Sequence, residues 1–499
     1  MIESIRPLLA ILCPALGALL IVLFGKRPNI RESWTMLASV LQFLIIISMV
    51  PIITGGEVIK CTFFTAFPGV DFGFEVDAFG LIFAITSSFL WILVSSYSIG
   101  YMRSLHEHAQ TRYYFCFAFA IFGAIGVALS GNLLTMFVFY EILTVSTYPL
   151  VAHDQTPEAL FAGRKYLAYL LTSGCFFLAA VALTYHFVGT TDFENGGILT
   201  VASASRSALM ALFMLFLLGF MKAAWMPFHS WLPTAMAAPT PVSALLHAVA
   251  VVKAGVFGIV RVVCYVYGID LMSELGLGII LASLAAVTMI VASLFAIAQD
   301  NLKRRLAYST ISQLSYIIFG VALLDPMGIT GAMIHIPFHG FMKITIFMCA
   351  GSIMVATGKK NISEMAGIGR TMPVTMFAFT VGALGMCGAP PACGFISKWF
   401  LCRGTVEAGE LMLLAVILIS SLLDVVYFFP IIYTAFFGKR EGTESSLNGG
   451  KPKIKESSMF MIVPIAITAI FSIIFCFPNP LTDVILNLAG IAVGNLGGV

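Results

Sequence analysis

Long apolar runs separated by short polar joints dominate the chain from end to end. A helix needs about 20 apolar residues to cross a hydrocarbon core, and that length predicts fourteen helical spans. They lie at residues 7–24, 34–53, 78–101, 112–129, 132–151, 161–188, 207–232, 241–267, 275–298, 305–324, 328–357, 372–401, 410–437 and 458–477. The tail 481–499 is apolar but holds Asp483, two asparagines and four glycines, and leaves a fifteenth span open. The run Leu8 to Phe24 has neither a basic leader nor a cleavage site, so it reads as a membrane helix and not as a signal peptide.

Two of the spans cannot be straight helices. The stretch from Phe220 to Gly255 carries Pro227, Pro233, Pro239 and Pro241 between Lys222 and Lys253, with His229 and His247 in the same segment. The stretch 372–401 would be about 45 Å long as one helix against a core of about 30 Å, and GMCGAPPACGF at Gly385 to Phe395 predicts a break in its middle. Non-helical backbone at membrane depth is tolerated only where it is buried in protein or lines a wet cavity.

Composition agrees with an integral membrane protein: 60% of residues are hydrophobic and 10% charged, with a mean hydropathy of +0.99. There is too little polar surface to coat a globule. A net charge of +3 gives no indication of a nucleic-acid partner. The ten cysteines never form a CxxC pair, so no zinc or iron–sulfur ligand set is legible and no cofactor is expected in this chain.

Lysine and arginine provide a check on the spans, because cytoplasmic loops carry the excess of them. Alternate connections hold 18 of these residues against 4 on the other side, and the remaining Lys222, Lys253, Arg261, Lys343 and Lys398 fall inside spans. This predicts an even number of crossings of the cytoplasmic membrane with both termini outside. The longest inner connection, 438–457, is polar and reads as a linker.

A charge at bilayer depth costs roughly 2.5–3.5 kcal/mol on insertion scales, so embedded ionisable residues need partners or water. Glu141 lies half-way along the fifth span, and Lys222 is a candidate partner. His335, His339 and Lys343 recur at i, i+4 and i+8, and so line one face of the eleventh span over about 12 Å. The HxxxH pair is also a metal-binding spacing, but no carboxylate or cysteine accompanies it and Lys343 would repel a cation. His247 and Lys253 are six residues apart, on different sides of an ideal helix. Lys398 follows the break in the twelfth span. Asp424, mid-way along the thirteenth, can pair with Lys398 or with Lys343; the sequence does not choose. His229 and Asp424 are therefore accessory candidates, and Arg261 reads as structural.

Both broken spans carry a lysine near the break, and corresponding breaks in two halves of a chain point to inverted repeats around a midplane path. Five spans separate them, an odd number, so spans 4–8 and 9–13 run in opposite directions. The expected divisions are 1–111 (three spans), 112–268 (first repeat), 275–437 (second repeat), 438–457 (inner loop) and 458–499 (last span and tail). The fold class is all-α and polytopic, with about 14 transmembrane helices.

The stretches KAAWMPFHSWLPTAMAAPTPVSALLHAVAVVKAG, FVFYEILTVSTYPLV, HIPFHGFMKITIFMCAG, DNLKRRLAYSTISQLSYI and APPACGFISKWF together resemble the antiporter-like subunit family. Its members are proton-pumping membrane subunits of respiratory complex I, subunits of Mrp sodium/proton antiporters, and matching subunits of membrane-bound hydrogenases. The resemblance covers about Tyr101 to Gly438. It implies fourteen helices built as two inverted five-helix repeats with helices seven and twelve broken. It also implies a relay role for Glu141 and Lys222 as an ion pair, His247 and Lys253 on helix eight, His335 and His339 on helix eleven, and Lys398 as the terminal lysine. Asp424 matches no motif of the family. The absence of a long C-terminal extension resembles the shorter, Mrp D-type or hydrogenase-type members, whereas SALLHAVAVVKAG and HIPFHGFMK resemble the distal complex I type.

The expectation is a proton-translocating subunit working with other membrane subunits of a larger complex, with sodium left open as a second ion. A stand-alone sodium/proton or solute transporter and a quinone-binding oxidoreductase subunit are the competing classes.

Overall fold

The computed structural model describes residues 2–438 and 454–497, and is mostly helical. Sixteen of its helices position everything that follows. They are α1 (Arg6–Leu23), α2 (Pro28–Ile47), α3 (Ala78–Ser104), α4 (Gln110–Ala128), α5 (Leu133–Val151), α6 (Pro157–Val188), α7 (Arg206–Gly219), α8 (Thr240–Tyr267), α9 (Leu277–Ile297), α10 (Leu302–Ala322), α11 (Pro326–Thr357), α12 (Pro373–Cys387), α13 (Gly394–Glu407), α14 (Leu411–Phe437), α15 (Met459–Ile474) and α16 (Pro480–Gly494). Among the described residues ten helices are long and apolar enough to cross a membrane, and α7, α12, α15 and α16 are shorter apolar helices. The chain is a multi-pass integral membrane protein. Most of the inner connection 438–457 lies outside the described residues.

The two proline-rich stretches are broken. α7 stops at Gly219 and gives way to a 3-10 turn at Met221–Ala223, and the next helix long enough to matter, α8, starts at Thr240. α12 stops at Cys387, Gly388 adopts a left-handed φ of 78°, and α13 resumes at Gly394. Side chains satisfy the carbonyls that the first break frees. Ser173 and Tyr140 hydroxyls donate to Gly219 O (2.6 and 3.2 Å), Trp225 Nε1 to Leu217 O (3.2 Å) and Trp231 Nε1 to Met221 O (3.1 Å).

Burial separates helices that the sequence presents as equally apolar. α8 is enclosed along its whole length, whereas α14 leaves Leu418, Leu422 and Phe429 more than half exposed, as a lipid-facing helix does. α10 and α11 are also interior, and with α8 they form the centre of the molecule.

The expectation of an all-α chain needs one correction. The connection after α2 forms a hairpin, β2 (Ile59–Phe67) against β3 (Val70–Val76), in antiparallel register from Ile59↔Val76 to Phe67↔Val70, and β1 (Ile2–Glu3) adds to β2 in parallel. The physical signal is present in the alternating, aromatic-rich KCTFFTAF and VDFGFEV around Pro68-Gly69, with Gly69 at φ 78°. Windows long enough to find membrane helices pass over strands this short.

The last apolar stretch also differs from expectation. Ser458 and Met461, at the start of α15, pack against Gly100 near the end of α3, while Asn495, just past α16, shares a pocket with Asp77, which caps the start of α3. α15 and α16 together therefore run the length of α3, with an interruption at residues 475–479.

A set of terminal features recurs along the chain. Asn132 caps α5 through Thr135 N (2.8 Å), and Asn301 caps α10 through Arg304 N (3.1 Å). The next helices, α6 and α11, are each 32 residues long, begin at a proline (Pro157, Pro326) and end at a left-handed glycine (Gly189, Gly358, both φ 74°). The residue three beyond each glycine returns to bridge the capping asparagine, as Asp192 with Asn132 and Asn361 with Asn301. All four correspondences share one offset of 169 positions (301 less 132, 326 less 157, 358 less 189, 361 less 192).

Candidate functional site

α8 contains a π-helical segment at Leu245–Val249, and this changes which side chains share a face. Six positions on an ideal helix put His247 and Lys253 apart, yet both side chains reach α11. His247 stacks on Phe347 at 4.6 Å between ring centroids, and Lys253 Nζ lies 2.7 Å from His339 Nδ1. π-bulges of this kind are frequent at functional sites.

The i, i+4, i+8 face of α11 is formed as the spacing requires. His335 and His339 stack with centroids 5.7 Å apart, and His335 Nδ1 meets Ser397 Oγ at 2.8 Å. Lys343 Nζ donates to Ser309 Oγ (2.9 Å) and Leu306 O (3.1 Å) of α10, not to a carboxylate. Lys253, His339, His335 and Ser397 thus make one buried line from α8 through α11 to α13. Among the described residues the Nε2 atoms of both histidines have no hydrogen-bond partner.

Ser397 is adjacent to Lys398, and Lys398 decides the question of Asp424. Its Nζ lies 2.8 Å from Asp424 Oδ2 and also donates to Met386 O (2.8 Å), Ser421 Oγ (3.1 Å) and Tyr316 OH (3.4 Å). Met386 O is a carbonyl close to the end of α12, so the break itself supplies an acceptor. Asp424 is fully enclosed and takes further bonds from Gln313 Nε2 (2.8 Å) and Tyr427 OH (2.5 Å). Neither residue is a snorkelling surface group.

At the other end, Lys222 is also fully buried, on the 3-10 turn after α7. It donates to the Tyr140 carbonyl and sits 3.3 Å from the Tyr140 ring centroid, a cation–π arrangement. Glu141 is the next residue on α5, and Lys222 is the one charge close enough to act on it strongly, yet no ion pair or hydrogen bond joins the two among the described residues. Glu141 Oε1 is buried without a partner, packed over Gly174, where a Cβ would approach it to 2.5 Å. His229, the other accessory candidate, stands apart from the row beside Phe295 and Tyr308.

Several participants had no signal in the sequence: Ser397, Ser309, Tyr316, Gln313 and Tyr140 are ordinary residues of apolar helices until packing puts them against a lysine or histidine. Arg261 is fixed by a bidentate pair with Asp77 (2.6 Å twice), consistent with a structural role. A polar cavity of about 640 Å³ opens where Lys303, Lys360, Asp154 and Glu107 converge and reaches Ala238 and Pro239 at the foot of α8.

Known proteins agree with this architecture. Residues 130–424 match the family described as NADH:quinone oxidoreductase/Mrp antiporter, transmembrane, and residues 66–114 match the N-terminus of chain 5 of complex I. The chain is 32% identical over 371 residues to subunit N of the NADH-quinone oxidoreductase of Desulforudis audaxviator, covering 74% of this chain and 73% of that protein. It is 27% identical to the D-type Na(+)/H(+) antiporter subunit of Bacillus subtilis (94% of this chain, 93% of that one). Against Na(+)/H(+) antiporter subunit A1 of Staphylococcus epidermidis it is 29% identical over 98% of its own length but spans only 63% of the relative. Two solved assemblies contain chains of the same fold. One is the Mrp complex of Dietzia sp. (TM-score 0.86, 22% identity, 99% of this chain and 98% of that one), the other an archaeal membrane-bound sulfane sulfur reductase (TM-score 0.87, 25%, with the same coverage). The chain belongs to the NADH:quinone oxidoreductase/Mrp antiporter family, as an antiporter-like membrane subunit.

Proposed function

We propose that this subunit relays protons through the buried row Lys222, His247, Lys253, His339, His335 and Lys398, with Glu141, Lys343 and Asp424 setting the charge of its members. The observation that carries the reading is the line Lys253–His339–His335–Ser397, which ends one residue from the Lys398–Asp424 pair. Titratable groups in enclosed surroundings, each within reach of the next, have the arrangement a relay needs. Tyr140, by holding Lys222 while Glu141 stays unpaired, gives the lysine an alternative to its carboxylate, so pairing and release can alternate.

The chain works in this reading as one of several membrane subunits, because its relatives and structural neighbours are subunits of multisubunit complexes. Sodium is the exchanged cation suggested by the names of two relatives. The relay requires no cofactor in this chain. The recurrence at a constant offset supports two five-helix repeats, and α15 with α16 as one interrupted crossing supports fourteen crossings. The β1–β2 pairing and the Asn495–Asp77 pocket support both described ends lying at one face, the start of α3, and the 18-to-4 charge bias supports that face being outside the cytoplasmic membrane.

The test is proton flux in liposomes, with the purified chain and the assembled complex measured side by side. Flux is expected only from the complex, and Lys253→Met and His339→Ala should each abolish it. Full exchange by the chain alone would establish a stand-alone transporter, and normal flux in both variants would remove the row from the path.

A further inference from the structure

Away from the relay, at the rim of the polar cavity, Glu107, His108 and His153 bring a carboxylate and two imidazoles together, with ligand atoms all within 4.8 Å of one another. Glu107 and His108 belong to the short connection between α3 and α4, and His153 follows α5. The His108 and His153 rings lie 4.8 Å apart, and Glu107 Oε2 is 3.9 Å from His108 Nδ1.

His153 packs its ring edge-on against Tyr113 as well as beside His108. Its side chain is fully buried, yet neither ring nitrogen makes a hydrogen bond of normal geometry, and only the His108 backbone acts on it as an acceptor. A buried polar group without a partner is costly, a cost a ligand at this position would remove.

We infer that Glu107, His108 and His153 form a binding site for a divalent transition-metal ion of the zinc class. Two histidines and a carboxylate with a fourth, open position are a common zinc ligand set. Tetrahedral bonds of about 2.1 Å put ligand atoms about 3.4 Å apart. The His108 side chain is half exposed, so a rotation of that ring is the movement that would close the remaining distance. The cation would meet Arg112, which donates to His153 O at 2.9 Å, and would be offset by Glu107 and the adjacent Asp154. The three residues lack metal-ligand spacing in the sequence, and no metal was expected from it. Glu107 also lines the cavity, so an ion held here stands at its mouth. The site is independent of the transport reading.

The experiment is equilibrium dialysis of the untagged full chain against buffered micromolar Zn2+, with metal analysis, and Co2+ absorption to report ligand geometry. One ion per chain is expected, undisturbed by millimolar Mg2+. His108→Ala, at an exposed position that leaves folding intact, and Glu107→Gln should each weaken binding at least tenfold. His153→Asn should do the same, and Zn2+ should raise the Tm of the wild type but of none of the three variants. Absence of stoichiometric Zn2+ in the wild type, or unchanged affinity in His108→Ala, would overturn the site.

Discussion

Asp424 Oδ2 lies 2.8 Å from Lys398 Nζ in an enclosed pocket that Tyr316, Ser421, Gln313 and the carbonyl of Met386 complete. The donors and acceptors around this pair come from α10 (Gln313 and Tyr316), from α14 (Ser421) and from the end of α12 (Met386). The pair therefore links the discontinuous stretch to α10 and α14, and its charge state bears on how these helices pack.

Breaking such a pair from one side leaves a buried charge uncompensated, a loss of about 3–5 kcal/mol, whereas removing both partners together is far cheaper. Asp424→Asn and Lys398→Met should each lower the Tm of the assembled complex and stop proton flux. The double variant should recover most of the stability and none of the flux. Additive losses in Tm would show that the two side chains are not coupled.

Charge alone is distinguishable from proton transfer at the same lysine. Lys398→Arg keeps the cation beside Asp424 but cannot release its proton at physiological pH. Proton uptake into inverted vesicles, normalised to assembled complex, should be as low for Lys398→Arg as for Lys398→Ala. Near-normal uptake by the arginine variant would show that Lys398 carries no proton.

The membrane class, the places of the helices, both breaks and the α11 face were legible in the sequence, because apolar length, paired prolines and four-residue spacing are local signals. The choice of Lys398 over Lys343 for Asp424 was not, since it depends on how α13 and α14 meet. Nor was the Lys253–His339 contact. Nothing in SALLHAVAVV announces a π-helical turn, and six-residue spacing does not by itself bring both side chains to α11. For Glu141 the sequence offers Lys222 as a candidate partner, and the structure keeps that lysine within electrostatic reach of it while the lysine donates to the Tyr140 carbonyl.

The charge bias makes a prediction about sidedness. Glu158, at the start of α6, and Arg206, at the start of α7, are both well exposed and lie at opposite ends of the intervening crossing. In sealed cells a membrane-impermeant thiol reagent should label Arg206→Cys from outside and Glu158→Cys only after the membrane is opened. The reverse pattern would invert the orientation.

The π-helical turn in α8 offers the sharpest test of the relay, because it can be removed without touching any titratable group. Residues of an α-helix are about 100° apart around the axis and the wider turn holds one residue more, so deleting Ala248 from the Leu245–Val249 segment should restore regular helix, leave the faces beyond the segment unchanged and turn only the residues inside it, His247 among them. His247 should then leave its stack on Phe347, whereas the 2.7 Å contact of Lys253 with His339 should stay. The shortened helix keeps its apolar character and gains ordinary i to i+4 bonds, so the complex should still assemble. Proton flux should fall at least tenfold, with Tm near the wild-type value. Unchanged flux from a correctly assembled deletion variant would mean that the path does not require His247 in its place against Phe347.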